Sequence, residues 1–234
     1  GIFWYPSEVD VSIRPGWFYH ASQDDEVRSI ANLVDIYFNS VGRNSVLLLN
    51  IPPDRRGLIH EVDASRIEAL HNYITITFAN NFIDGKVREW HASEGESIEL
   101  KMKRGSIINT VQLSEDITRG QRVEHFTIEA YTNGRWQHLT EGTTIGYKRL
   151  LRFSDCRAER IRITIKSCRS TAHINNIGAY YAPHLEDDGS SVIVSDLSNE
   201  GWQTMEDDAY TGIDGDVETA WRSEGITPLT IDLG

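Results

Sequence analysis

"SVLLLNIPPDRRGLIHE" (residues 45–61) decides how the first third of this 234-residue chain is read. Its opening is a continuous apolar run of strand length, closed by Pro52 and Pro53, which cannot extend a ladder. A strand that is apolar throughout must be covered on both faces. The flanks supply the cover. Upstream, Val27, Ile30, Ala31, Val34 and Phe38 recur at helical spacing behind an acidic first turn, with Gly42 as the stop. Downstream, "DASRIEALHNYITITF" (63–78) returns to the helical period, with Asp63 read as its cap. Helix, apolar strand, helix is the pattern of a parallel sheet buried on both faces. One strand cannot make such a sheet, so its partner strands are expected to be missing from these residues.

From Phe82 the period changes from 3.6 to 2. "SIELKMK", "INTVQLSED", "VEHFTIEAYTNGRWQHL", "KRLLRF", "RIRITI" and "INNIGAYYA" are short alternating segments separated by Gly, Asn and Ser. They outline an antiparallel sandwich over about 82–183. Within it, Asn133-Gly134 reads as a hairpin turn. Cys156 and Cys168 flank an extended segment about 20 Å long, well beyond the ~7 Å reach of a disulfide, so they are expected to be unpaired.

A repeat follows. "IDGKVREWHASEG" (83–95) returns as "IDGDVETAWRSEG" (213–225), each copy followed by another alternating run. The chain is therefore expected to end inside a second sandwich. Composition shifts at the boundary. From His184 onward 13 Asp/Glu face a single Arg, so this segment carries the whole net charge of −12 and residues 1–183 are balanced. That balance offers no basic face to nucleic acid, and no stretch reaches the ~20 apolar residues of a membrane span.

The first residues, "GIFWYPSEVDVSIRPGWFYH" (1–20), are unusual for a terminus. Two aromatic clusters, Phe3-Trp4-Tyr5 and Trp17-Phe18-Tyr19-His20, enclose Glu8, Asp10 and Arg14. "EVDVSIRPGWFYH", "SVGRNSVLLLNIPPDRRGLIHE" and the helix after them resemble the last part of the catalytic barrel of glycoside hydrolase family 29, the α-L-fucosidases. The likeness is to the branch that cleaves α-1,3/1,4-linked fucose, and it runs nearly throughout residues 1–80. Residues 82–183, and again about 190–234, resemble galactose-binding-like sandwiches of the discoidin or family 32 carbohydrate-binding type.

The resemblance implies a multi-domain fold. The C-terminal part of a (β/α)8 barrel (1–81) would be followed by an antiparallel jelly-roll sandwich (82–183), then by a linker and the truncated start of a second sandwich (184–234). Residues 3–20 would be the seventh barrel strand with its loop, and "LLLNIPPDRR" the eighth. Functional groups sit at the C-terminal ends of such strands. The implied activity is that of a retaining exo-α-L-fucosidase acting on fucosylated oligosaccharides or glycoconjugates. Its nucleophilic Asp is expected upstream of this chain, so these residues alone should be inactive. Glu8 stands as the acid/base or as a substrate-orienting group. Trp4, Asp10, Arg14 and Trp17 would bind substrate, because sugar C–H faces and the fucose methyl suit aromatic walls. A structural pairing of Glu8 and Asp10 with Arg14 stands beside this reading. Asp54, Arg55 and Arg56 are expected to form an ion-paired loop. No cofactor is expected for catalysis. Asp214, Asp216 and Thr219 resemble a structural calcium loop, whereas the first copy has Lys86 and Glu89 at the last two places and should lack calcium. A secreted or periplasmic location is implied, although no signal peptide is visible. The other reading of the chain is a non-catalytic carbohydrate-binding or scaffolding fragment.

Overall fold

The computed structural model describes residues 5–85, 87 and 89–185, and the backbone of 203–204 and 231–232. The chain divides into two compact units, 1–192 and 193–234. In the second, only the short antiparallel pairing of Gln203–Thr204 with Ile231–Asp232 is described. The second copy of the repeat lies outside the described residues.

The first unit begins with β1 (Glu8–Ser12), α1 (Ile30–Asn39), β2 (Val46–Asn50) and α2 (Glu61–Phe78). β1 and β2 pair in parallel, in register from Glu8 opposite Val46 to Ser12 opposite Asn50. One partner of the apolar strand is thus present in the chain, contrary to the expectation from hydropathy. The alternating "EVDVS" lacks the continuous apolar pattern that marks β2. This is a β-α-β-α segment of a barrel, with α1 and α2 on one face of the parallel pair. Leu33, Val34, Phe38 and Leu70 form the core there, and Leu49 packs against it.

Two helix starts differ from the sequence reading. Residues Ala21–Glu26 form a separate 3-10 turn, because Val27 is extended and the Arg28 amide bonds back to Ile13 O at 3.0 Å. Ser29 caps α1, its hydroxyl accepting from the Asn32 amide. In α2 the cap is His60, not Asp63. Asp63 lies inside the first turn and is fully buried, because its carboxylate serves a distant arginine.

The remainder of the unit is a sandwich of eight strands. They are β3 (Trp90–Ala92), β4 (Ser97–Lys101), β5 (Ile107–Glu115), β6 (Val123–Thr132), β7 (Arg135–Gly142), β8 (Arg149–Arg157), β9 (Arg160–Cys168) and β10 (Ala172–Tyr180). One antiparallel sheet has the order β3-β10-β5-β8, the other β4-β9-β6-β7. The alternation read from sequence is the burial pattern observed: Ile161, Ile163 and Ile165 of β9 point inward with Phe126 and Ile128 of β6. Asn133 and Gly134 form the β6–β7 turn, both with positive φ (51° and 78°), as a two-residue type I′ hairpin requires. Cys156 and Cys168 are unpaired and partly buried.

β8 ties the sandwich to the barrel segment. Its neighbours Leu150 and Leu151 point to opposite faces of the sheet. Leu150 joins the core of α1 and α2, and Leu151 joins the sandwich core. Gly42 allows the close approach: a Cβ there would sit 2.9 Å from Leu150 Cβ and 2.3 Å from Phe38 O. Asn44 completes the seam, donating to Ile145 O and accepting from the Lys148 amide, both at 2.8 Å.

Candidate functional site

The face of the parallel pair opposite the helices is open. Along β1 it carries Glu8 and Asp10, both exposed, and then the buried Ser12. Their register partners are Val46, Leu48 and Asn50. In a closed barrel this face is the interior. Glu8 opens β1 at its N-terminal end, about 13 Å from Ser12 at ~3.3 Å per residue.

The C-terminal ends of the strands carry two loops. Asn50 fastens the first one, its side-chain amide donating to Ser12 Oγ and Trp17 O, each at 3.1 Å. Trp17 and Phe18 then stand out from this end, 50% and 77% exposed. Arg14, between strand and loop, is 1% exposed. Its Nε donates to both oxygens of Asp63, at 3.0 and 2.8 Å, and its Nη1 donates to Asp24 at 2.9 Å. Burial would lower the guanidinium pKa, but the hydrogen bonds and charges of Asp63 and Asp24 outweigh it and leave the pKa raised. Tyr19 covers the group with its ring centroid 4.8 Å away. The pairing of Arg14 with acids is therefore real, but its partners are Asp63 and Asp24 rather than Glu8 and Asp10. Nη2 of Arg14 is buried and has no hydrogen-bond partner among the described residues.

The second loop, after β2, is held by Asp54. This carboxylate accepts from the Arg56 amide at 2.7 Å, from Arg56 Nε at 2.9 Å and from the Leu58 amide at 3.3 Å. The hydrogen bond from the Arg56 side chain, helped by the two amides, holds the Asp54 carboxyl below the usual carboxylate range against the effect of burial. Arg56 also reaches Glu61 at 2.9 Å. The ion-paired loop read from sequence is thus made by Asp54 and Arg56. Between the two loops lies a cavity of about 590 Å3, whose lining includes Tyr19, His20, Arg55, Arg56, His60 and Glu61. Tyr19 and His60 face each other with ring centroids 5.7 Å apart. Tyr19, His20 and His60 were not singled out from the sequence as site residues. The signal available was the aromatic run ending in His20. His60 offered none, because only the fold brings it to the first loop.

Trp4 lies outside the described residues, as do Asp214, Asp216 and Thr219, so the calcium loop stays an expectation. The remaining candidates, Glu8, Asp10, Arg14 and Trp17, share one strand and its loop. Glu8 and Asp10 point into the open face, Trp17 projects at its C-terminal end, and Arg14 is committed to the acids below.

A family model described as α-L-fucosidase matches residues 4–77. Residues 4–77 are a segment of the α-L-fucosidase family. Beyond that segment, α-L-fucosidase 1 of Arabidopsis thaliana is 33% identical over 208 residues, covering 76% of this chain and 41% of the relative. A crystal structure of a Bacteroides ovatus protein assigned to the α-L-fucosidases covers 99% of this chain at 48% identity, with a TM-score of 0.78. It is matched over 37% of its own length. A Ruminococcus gnavus family 29 fucosidase, solved with fucose bound, is 30% identical over 79% of this chain and 43% of its own, with a TM-score of 0.70. The chain thus spans about 40% of the length of the α-L-fucosidases it matches. Among the described residues no helix is long and apolar enough to cross a membrane.

Proposed function

We propose that this chain is the part of a retaining exo-α-L-fucosidase that builds one wall of the active site and buttresses it with a sandwich. The observation that carries the reading is the family segment itself. Its parallel pair exposes Glu8 and Asp10 on the face that a complete barrel encloses, and its C-terminal loops present Trp17 and a polar cavity. The substrate class follows from the fucosidases it resembles: glycans ending in α-linked L-fucose, of the 1,3/1,4 kind in the branch nearest its motifs. Such substrates suit a secreted or periplasmic enzyme. The sandwich would serve to hold the barrel segment through β8, with any sugar binding of its own secondary.

Retaining hydrolysis needs two carboxyl groups ~5–5.5 Å apart, one to attack the anomeric carbon and one to protonate the departing oxygen and later deprotonate water. This chain supplies at most the second of them. In this proposal Glu8 takes that role or orients the sugar, with the nucleophilic Asp contributed by a barrel strand outside these residues. Trp17 packs on the sugar face, and Arg14 holds its loop in place. As acid/base, Glu8 requires the sugar to reach down the axis-facing row, because it lies at the far end of β1 from the cavity.

The test is Glu8→Gln in the complete enzyme. We expect kcat/KM on branched fucosyl glycans to fall at least about tenfold, ~1.4 kcal/mol of transition-state stabilisation. Rescue by azide assigns the acid/base role, and loss without rescue assigns orientation. Unchanged kinetics would remove Glu8 from the site.

A further inference from the structure

On the outer side of the sandwich, far in sequence from the barrel loops, two histidines face each other across the edge of a sheet. His91 of β3 and His173 of β10 are direct register partners. Directly opposed residues of an antiparallel pair have Cβ atoms only ~4.5–5.5 Å apart. Here the rings approach to a centroid distance of 4.5 Å. Glu89, two residues before His91, brings its carboxylate to the same place. Its Oε1 lies 3.0 Å from His91 Nε2 and 3.5 Å from His173 Nδ1. The three ligand atoms all fall within 4.8 Å of one another.

Two features separate this cluster from an ordinary surface ion pair. Among the described residues, His173 Nδ1 is buried and has no well-formed hydrogen bond, its nearest acceptor being Glu89 at 3.5 Å. A buried ring nitrogen left in this way costs free energy unless something else binds it. The spacing also fits a metal. Around tetrahedral zinc, with ligand bonds of ~2.0–2.1 Å, neighbouring ligand atoms are about 3.3 Å apart. Two of the three separations, 3.0 and 3.5 Å, bracket that value, and the third falls within 4.8 Å, so ligation would draw the two rings closer together.

We propose that Glu89, His91 and His173 form a divalent transition-metal site, with zinc as the preferred ion, that clamps the edge strand β3 to β10. Two imidazoles and one carboxylate suit zinc, whereas calcium takes oxygen ligands. The proposal is therefore compatible with the absence of a calcium pattern in this copy of the repeat. Each histidine would present the lone pair of the named nitrogen and keep its proton on the other. Three protein ligands leave one coordination position for water. A clamp is useful here because β3 pairs over only three residues, Trp90–Ala92, at the edge of its sheet.

The experiment uses the full chain, stripped with a chelator and titrated with zinc chloride by calorimetry, with calcium chloride in parallel. One equivalent of zinc should bind, with a rise in the melting temperature of the first unit that calcium does not produce. His91→Gln and Glu89→Gln, both on the exposed rim, should each weaken zinc binding at least about tenfold. Their circular dichroism in the absence of metal should match that of the parent. Cobalt substituted for zinc should show the visible bands of a tetrahedral site, lost in His91→Gln. Zinc binding that is equal in parent and His91→Gln would place the ion elsewhere. No binding at all would leave an ion-paired surface cluster only. Either result overturns the proposal.

Discussion

Removing the Asp63 carboxylate is the most direct probe of how the barrel segment is held together. Asp63 is fully buried and Arg14 is 1% exposed. Both oxygens of Asp63 accept from Arg14 Nε, which locks the loop after β1 against the first turn of α2. Asp63→Ala leaves a buried guanidinium with Asp24 as its remaining acid, and the Asp24 side chain is 30% exposed. Breaking one side of a buried pair costs about 3–5 kcal/mol. Because Asp24 keeps part of the compensation, the lower end, ~3 kcal/mol, is expected. For a domain of about 150–250 residues, 1 kcal/mol moves the melting temperature by ~2–4 °C, so the shift should be roughly 6–12 °C. Thermal melting followed by far-UV circular dichroism measures it. The companion variant Arg14→Met/Asp63→Leu replaces the charges by apolar side chains and should recover most of the loss, since the desolvation penalty disappears with the pair. A shift under about 2 °C for Asp63→Ala, less than 1 kcal/mol, would refute the argument. So would a double variant no more stable than the single one.

The other predictions concern the seam, the second loop and the last segment. Gly42→Ala drives a methyl group against Phe38 O and Leu150 Cβ, so denaturant unfolding should show a loss of about 1–3 kcal/mol, the usual cost of overpacking. Asp54 has a folded pKa below its ordinary value, so its contribution is present above the unfolded pKa of ~3.9 and lost as pH falls through the depressed one. Hydrogen exchange at the Arg56 and Leu58 amides should therefore stay slow at neutral pH, rise only under stronger acid, and be fast at neutral pH in Asp54→Asn. If Asp214, Asp216 and Thr219 bind calcium, a hundredfold excess over Kd should stabilise the second unit by ~2.7 kcal/mol. Asp214→Ala should abolish that increment and Asp84→Ala should not; a calcium response equal in the two variants would discard the loop as a metal site.

The elements legible in the sequence were those whose pattern is local. The apolar run at 46–49 is a strand as its length and hydropathy indicated, but among the described residues only one of its faces is covered, with Val46 and Leu48 49% and 51% exposed on the other. The Asn133-Gly134 turn could only be a tight hairpin, and the alternating isoleucines of β9 could only face a core. The motifs around Glu8 and Arg14 pointed to the family whose model matches residues 4–77. What stayed hidden was pairing over long distances. β1 has alternating charge and valine, and it reads as a strand only when β2 is placed beside it. Asp63 looks like a cap because caps are local, yet its partner lies 49 positions earlier. Leu150 and Leu151 are one apolar step in the sequence and belong to two different cores. His91 and His173 acquire meaning only through antiparallel register. Local periodicity reports which side of an element avoids water. Only the folded chain decides what meets that side, because the partner is chosen by packing between segments that the sequence keeps far apart.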